Sequence, residues 1–368
     1  MAGFLLCSLP CCAHNSNISG SKVQQEQKMK NPKVLNFKLW LLAFSFAFLA
    51  FTVLGCNESL QAAMDRSDTS SVDNLVAEAA QIIRAALDDD EPQIRANAIE
   101  VVADTKRAEL MPKVQRLLKD DFVPVRFLAA LAVGDTEYRL AKDTVKQLLQ
   151  DRDDNVRIAA AYAMGKLGEP DNFRIIQKTI LSKNQTVRAN CALLLGKSGD
   201  KSALKPLYWA LKSNDSSDKV RFNAVGAIAK LGDERIYSKL WAMLISAYAN
   251  DRVIGIRAMG ALGTVEAKNA LITMLDDDVL EVRLAAAEQL GMLGDNIGEF
   301  EVLNVFKKNL IAGMDKAGAE HVKMCTALAI GRIGTAPLMK FLPDLLKDES
   351  KIVRIAASKA VFQCQTAK

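Results

Sequence analysis

DDNVRIAAAYAMGKLG, Asp153–Gly168, reads as one turn and one helix. Asp153 and Asp154 are residues that cap a helix N-terminus, and the Ala-rich run after Arg157 favours a helix. Gly168 supplies the left-handed residue that often ends one. Close variants recur down the chain, headed by Arg95, Arg126, Arg157, Arg188, Arg221, Arg252, Arg283, Lys323 and Arg354. Their spacings are 31, 31, 31, 33, 31, 31, 40 and 31 residues. The extra residues fall in Ser213–Asp218 and near Asp295–Glu320. Constant units with insertions between them are expected of stacked helical hairpins, so the repeat reading comes before any domain count.

The columns of the repeat have physical reasons. Three residues after the arginine comes a small side chain, as in Ala98, Ala129, Ala160, Cys191 and Ala224. Seven after it comes an aliphatic residue or Met, as in Val102, Val133, Met164, Leu195 and Ile228. The two offsets share one helical face, where small residues allow close approach and large ones fill the space. Eleven after it a glycine closes the helix in six units, Gly168 to Gly334. Six before the arginine stands Asp89, Asp120, Asp151, Asp215, Asp277 or Asp348. These aspartates with Arg95, Arg126, Arg157, Arg188, Arg221, Arg283 and Arg354 predict a structural Asp–Arg ladder between successive turns. Ser182, Ser246 and Ala317 replace the aspartate, so the units of Arg188, Arg252 and Lys323 are predicted weak points.

The segments VRIAAAYAMGKLG, VRANCALLLGKSG, VRFNAVGAIAKLG, EVRLAAAEQLGMLG and IVRIAASKAV resemble the short HEAT-like repeats of the phycobilin-lyase type. The resemblance covers residues 75–368. It implies an all-α, right-handed superhelical α-solenoid of about nine hairpins whose second helices line a concave face. Stacked at ~8–10 Å per layer, nine units would span an arc on the order of 80 Å. On that face Leu128, Leu131, Tyr162 and Leu193 would form an apolar strip beside a basic rail of Lys166, Lys197 and Lys230. Such a surface suits an acidic, partly apolar protein partner, so these seven residues are the candidate protein-binding site.

Hydrophobic residues make up 50% of the chain and aromatics only 6%, which fits close-packed helices. The formal charge is +5, of which +4 lies in residues 1–55. A near-neutral body argues against nucleic acid as a ligand. Of seven cysteines only Cys191, Cys325 and Cys364 fall in the repeats, too scattered for a disulfide framework.

The N-terminal segment reads as an address. Lys30, Lys33 and Lys38 precede an uncharged run, Leu39–Gly55, in the order of a secretory signal. The run ends Val53-Leu54-Gly55-Cys56, which resembles the lipobox of bacterial lipoproteins, with Leu54 departing from the usual small residue. The resemblance implies a signal peptide over 29–55, cleavage between Gly55 and Cys56, and acylation of the Cys56 thiol. Two or three acyl chains would hold the protein on a membrane. Met29 is the better-placed start, which makes 1–28 an expected upstream extension. Residues 56–74 are polar and read as a flexible tether. Asn57 follows Cys56 where an Asp would signal inner-membrane retention, which points to the outer membrane if there are two.

Catalytic signals are missing from the sequence. The repeats hold one histidine, His321, and the chain has neither a GxxxxGK[ST] loop nor a strand-associated GxGxxG. Deoxyhypusine hydroxylase resembles this family but binds iron through His-Glu dipeptides; here Glu320-His321 runs in the reverse order. The expected function is a non-enzymatic, lipid-anchored scaffold of the cell envelope, with no cofactor, no metal and an unidentified protein partner. The alternative is an enzyme subunit related to the phycobilin lyases.

Overall fold

The computed structural model describes residues 72–366. The leader, the Gly55–Cys56 motif and nearly all of the tether lie outside the described residues. Those described are helical, with no strand among them. They form the expected all-α solenoid of nine hairpins. Each unit pairs a short outer helix with a longer inner one. The inner helices are Pro92–Asp104, Val123–Asp135, Asp154–Lys166, Gln185–Ser198, Asp218–Lys230, Ala249–Leu262, Leu280–Met292, Lys316–Ile333 and Lys351–Thr366. Outer helices include Met111–Arg116, Lys142–Leu148, Phe173–Thr179, Leu204–Lys212 and Tyr237–Leu244. The long insertion in unit eight follows its outer helix Glu299–Lys307 and includes an early start for Lys316–Ile333.

Local chemistry sets the helix ends. Asp153 accepts from the Asn155 amide and Asn184 from those of Thr186 and Val187, while Pro92 begins its inner helix. Gly168, Gly199, Gly232, Gly263, Gly294 and Gly334 all have positive φ, as the helix-stop column requires. In the first two units the same column holds Lys106 and Glu137, both at φ 51°. The +3 and +7 columns are core: Ala98, Ala129, Ala160, Cys191, Val102, Val133, Met164 and Leu195 are fully buried.

Each inner helix packs on the next, and the last packs on the first. The array is therefore a closed cycle, not an open arc. Polar contacts hold the seam. Lys359 Nζ lies 2.6 Å from Asp104 Oδ2, and Lys351 reaches Asp89 at 2.9 Å and Glu91 at 3.0 Å. Arg107 donates to Gln365 at 2.6 Å and lays its guanidinium 3.9 Å from the centre of the Phe362 ring.

A column absent from the sequence reading accounts for the tight curvature. Eight residues after the arginine stand Gly134, Gly165, Gly196, Gly260, Gly291 and Gly331. A Cβ at Gly196 would lie 2.6 Å from the Ala227 backbone, and one at Gly331 2.6 Å from that of Ala360. Small residues facing small residues let neighbouring inner helices converge at this end, and repeated convergence bends the stack until its ends meet.

Candidate protein-binding surface

Closure changes what the inner face can do. Tyr162 is 1% exposed, Leu128 4% and Leu131 7%, and Leu193 is half-buried. The apolar strip is core, a correction to the sequence reading. An open concave face would have left these side chains to solvent; in a closed cycle they fill the middle. Tyr162 donates to Asp135 Oδ1 at 2.7 Å, tilts against Phe173 at 6.2 Å, and covers Gly134.

The three lysines of the rail do come together, at the mouth of the cycle where the inner helices end. They are balanced by carboxylates that the sequence reading did not single out. Lys197 pairs with Asp135 at 2.9 Å across the intervening unit, and Lys166 stands 3.9 Å from Glu137. Burial pulls the Lys197 pKa down, but Asp135, Asp104 and Glu100 outweigh it and hold the ammonium above its usual value. Asp104 is opposed by burial in the same way and held low by Lys359, with Lys197 and Arg332 contributing. Lys230 is the exception. Its side chain reaches solvent, and it has no ion-pair partner among the described residues. Crowding by protein on one side, then the charge of Lys197, lower its pKa. The mouth is thus a mixed ionic plug, drawn from the columns five and nine after the arginine together with Glu137 from the helix-stop column.

The outer edge carries the Asp–Arg ladder, and wherever a rung forms, the partner is the aspartate of the following unit. Arg95 pairs with Asp120 at 2.8 Å, Arg126 with Asp151 at 3.0 Å and Arg188 with Asp215 at 2.9 Å. Arg252 pairs with Asp277 at 2.8 Å and Lys323 with Asp348 at 2.7 Å. Each arginine but Arg221 also donates to the backbone carbonyl six residues before it, as Arg126 does to Asp120 at 2.8 Å; Arg221 reaches that of Ser213 instead. Each of these aspartates but Asp215 caps the amide two residues on, as Asp151 does for Asp153 at 2.9 Å; the Ser217 amide donates to Gln185 instead. Burial raises the Asp151 carboxyl, but Arg126 and that amide hold it below the usual range; Arg188 and Ser213 hold Asp215 at about 2.

Because the rungs run forward, a missing aspartate strands the arginine of the unit before it. Arg188, Arg252 and Lys323, expected as weak points, are paired. Arg157 and Arg221 face Ser182 and Ser246 and fold back to Asp154 and Asp218 on their own helices. Arg283 reaches Glu301 of the next outer helix at 3.0 Å. At the seam Asp89 is held by Lys351, and Arg354 keeps only the carbonyls of Asp348 and Glu349.

Little chemistry remains elsewhere. His321 Nε2 lies 3.6 Å from Cys325 Sγ on one inner helix, and burial lowers the imidazole pKa. Cys191 is buried and its thiol pushed up to about 12. Among the described residues no group of three or more His, Cys, Asp or Glu side chains could hold a metal ion. Two hollows of about 220 and 330 Å³ open beside Lys323 and beside Arg283, lined mostly by polar and charged side chains.

Among known proteins, HEAT-repeat families match residues 114–184, 174–254 and 268–297. No curated protein sequence matches this chain. Solved structures similar to it include human deoxyhypusine hydroxylase in complex with glycerol, at 16% identity and TM-score 0.35, covering 72% of this chain and 99% of that one. The complex of CpcE and CpcF of phycocyanin lyase from Nostoc sp. PCC7120 is similar at 18% identity and TM-score 0.38, covering 67% and 91%. HEAT repeats therefore make up the middle of the chain, from residue 114 to 254 and again from 268 to 297.

Proposed function

We propose that this chain is a lipid-anchored, non-enzymatic HEAT-repeat scaffold of the bacterial cell envelope, and that it meets its protein partner through its outer helices and edges. The observation carrying this reading is the closed inner face, whose apolar and charged side chains are spent on the core and the ionic plug. Outer side chains are what a partner could touch: Leu140, Val265 and Phe300 are 78%, 72% and 61% exposed. The lipobox-like Val53–Cys56 supports the address, with acyl chains on Cys56 holding the body at the membrane. No helix among the described residues is long and apolar enough to cross a membrane, so this reading assigns attachment to the N-terminal segment.

Two measurements test it. Growth with labelled palmitate should label the wild type and not Cys56→Ser; label that survives the substitution sinks the anchor. Photocrosslinkers placed singly at Leu140, Val265 and Phe300 in native membranes should capture one discrete envelope protein, and a crosslinker at Leu131 should not. Capture from Leu131 alone would return the site to the inner face.

A further inference from the structure

Charge is distributed unevenly over the body. Residues 173–248, the outer and inner helices of units four and five with the outer helix of unit six, hold thirteen Lys and Arg against five Asp and Glu. The remainder of the body is correspondingly acidic. Both tryptophans of the body stand in this basic sector, Trp209 at 40% exposure and Trp241 at 41%, on consecutive outer helices. Ile175, Leu181, Ile245 and Tyr248 are exposed beside them on the same three units.

The arrangement repeats from helix to helix. On Phe173–Thr179 and its following turn, Arg174, Lys178 and Leu181 share one outward face, with Ile175 next to it. On Leu204–Lys212, Lys205, Trp209 and Lys212 share one. On Tyr237–Leu244 and the turn beyond, Trp241 and Ile245 do, with Lys239 close by. The ring of Trp209 is fixed by the Arg188 guanidinium 5.1 Å from its centre, and Tyr208 lies between Lys212 and Arg235 at 5.7 and 5.4 Å. Trp209 is therefore held in place at the surface. The two hollows beside Lys323 and Arg283 lie in units seven to nine, outside this face.

We propose that this face docks flat on an anionic lipid bilayer, with Trp209, Trp241 and Tyr248 at headgroup depth and the surrounding lysines on lipid phosphates. Tryptophan and tyrosine are the side chains that favour the membrane–water interface, and lysines add attraction to anionic lipid. An acidic protein would meet the same charge but gives no reason for tryptophan and tyrosine exposed side by side on consecutive outer helices. The proposal takes from the function above only that the chain is held at a membrane. The sixteen residues 56–71, at most ~3.5 Å each when extended, could reach about 55 Å, enough to let the body lie down.

The experiment uses the full chain with Trp40→Phe, which leaves Trp209 and Trp241 as its tryptophans. The protein is mixed with vesicles of phosphatidylcholine alone or with equimolar phosphatidylglycerol, with or without bromine on the upper acyl chain. Flotation reports attachment and bromine quenching reports docking. Quenching should be at least twofold stronger with phosphatidylglycerol. It should fall to the phosphatidylcholine level in high salt and in Lys205→Glu/Lys212→Glu/Lys239→Glu, whose unchanged circular dichroism shows it folded. Protein that floats without quenching leaves the anchor standing and overturns the docking face. Equal quenching on both lipids overturns it too, and protein that does not float on either vesicle overturns both readings.

Discussion

The junction between units two and three and the junction between units three and four have the same sequence register and different physics. At the first, Arg126 and Asp151 meet with side chains 7% and 10% exposed, and Gly134 lets the ring of Tyr162 and the backbone of Ala163 approach. At the second, Ser182 replaces the aspartate, Arg157 folds back to Asp154 in solvent, and Gly165 faces the ring of Phe173 from an outer helix. The inner helices of units three and four consequently touch over a much shorter stretch. What joins them instead includes a hydrogen bond from Asn190 to Asn155 at 2.9 Å, with Lys197 reaching past to Asp135. A repeat can therefore keep its period while its junctions differ in strength, and the junction between units three and four is the weaker of these two.

The sharpest way to break the contrast is Asp151→Ala. It leaves Arg126 buried without its carboxylate and should cost about 3–5 kcal/mol in urea unfolding, the range for breaking a buried pair. Arg157→Ala, at the equivalent place in the open junction, should cost about 0.5 kcal/mol or less. Next comes Gly134→Ala. Its Cβ would sit 3.0 Å from the Ala163 backbone and closer to the Tyr162 ring, for a loss of about 1–3 kcal/mol. Gly165→Ala should lose less, because the Phe173 ring can swing and alanine favours the helix by about 0.5–1 kcal/mol.

Acid should erase the difference from the other side. The Asp151 pKa is depressed in the folded state, so its stabilisation is complete above the unfolded value of about 3.9 and lost as pH falls through the folded one. Urea midpoints of wild type and Asp151→Ala should converge over that interval. Midpoints that stay apart below it would mean that Asp151 acts through packing and not charge. The smallest effect is a gain. Ser182→Asp restores the missing carboxylate while keeping the turn that Ser182 Oγ now makes with the Asn184 amide, and should stabilise by about 0.5–1 kcal/mol. Hydrogen exchange in helix Gln185–Ser198 should slow with it.

The sequence made the units legible because their reasons are local. Ala160, Met164 and Gly168 each answer to a helix face or a helix end. The ladder was half legible. An aspartate six before each arginine is equally consistent with pairing inside a unit or with the next one, and only geometry selects the next. Closure was not legible, because it accumulates from small rotations at Gly134, Gly196 and Gly331, and each glycine alone looks like a weak helix residue. That one omission moved Leu128, Leu131 and Tyr162 from surface to core and turned the lysine rail into part of a plug. The basic sector was hidden for another reason. A body whose net charge is +1 can still carry a strongly positive quarter.

The seam has an arithmetic consequence. An open solenoid can gain or lose a unit during evolution, since each end is only a cap. Nine units that meet end to end each turn the chain by about 40°, and no other number brings Lys359 to Asp104 at that rotation. Repeat number here is fixed by geometry in the way subunit number is fixed in a cyclic oligomer. Removing one unit would leave a wedge-shaped gap, not a shorter protein.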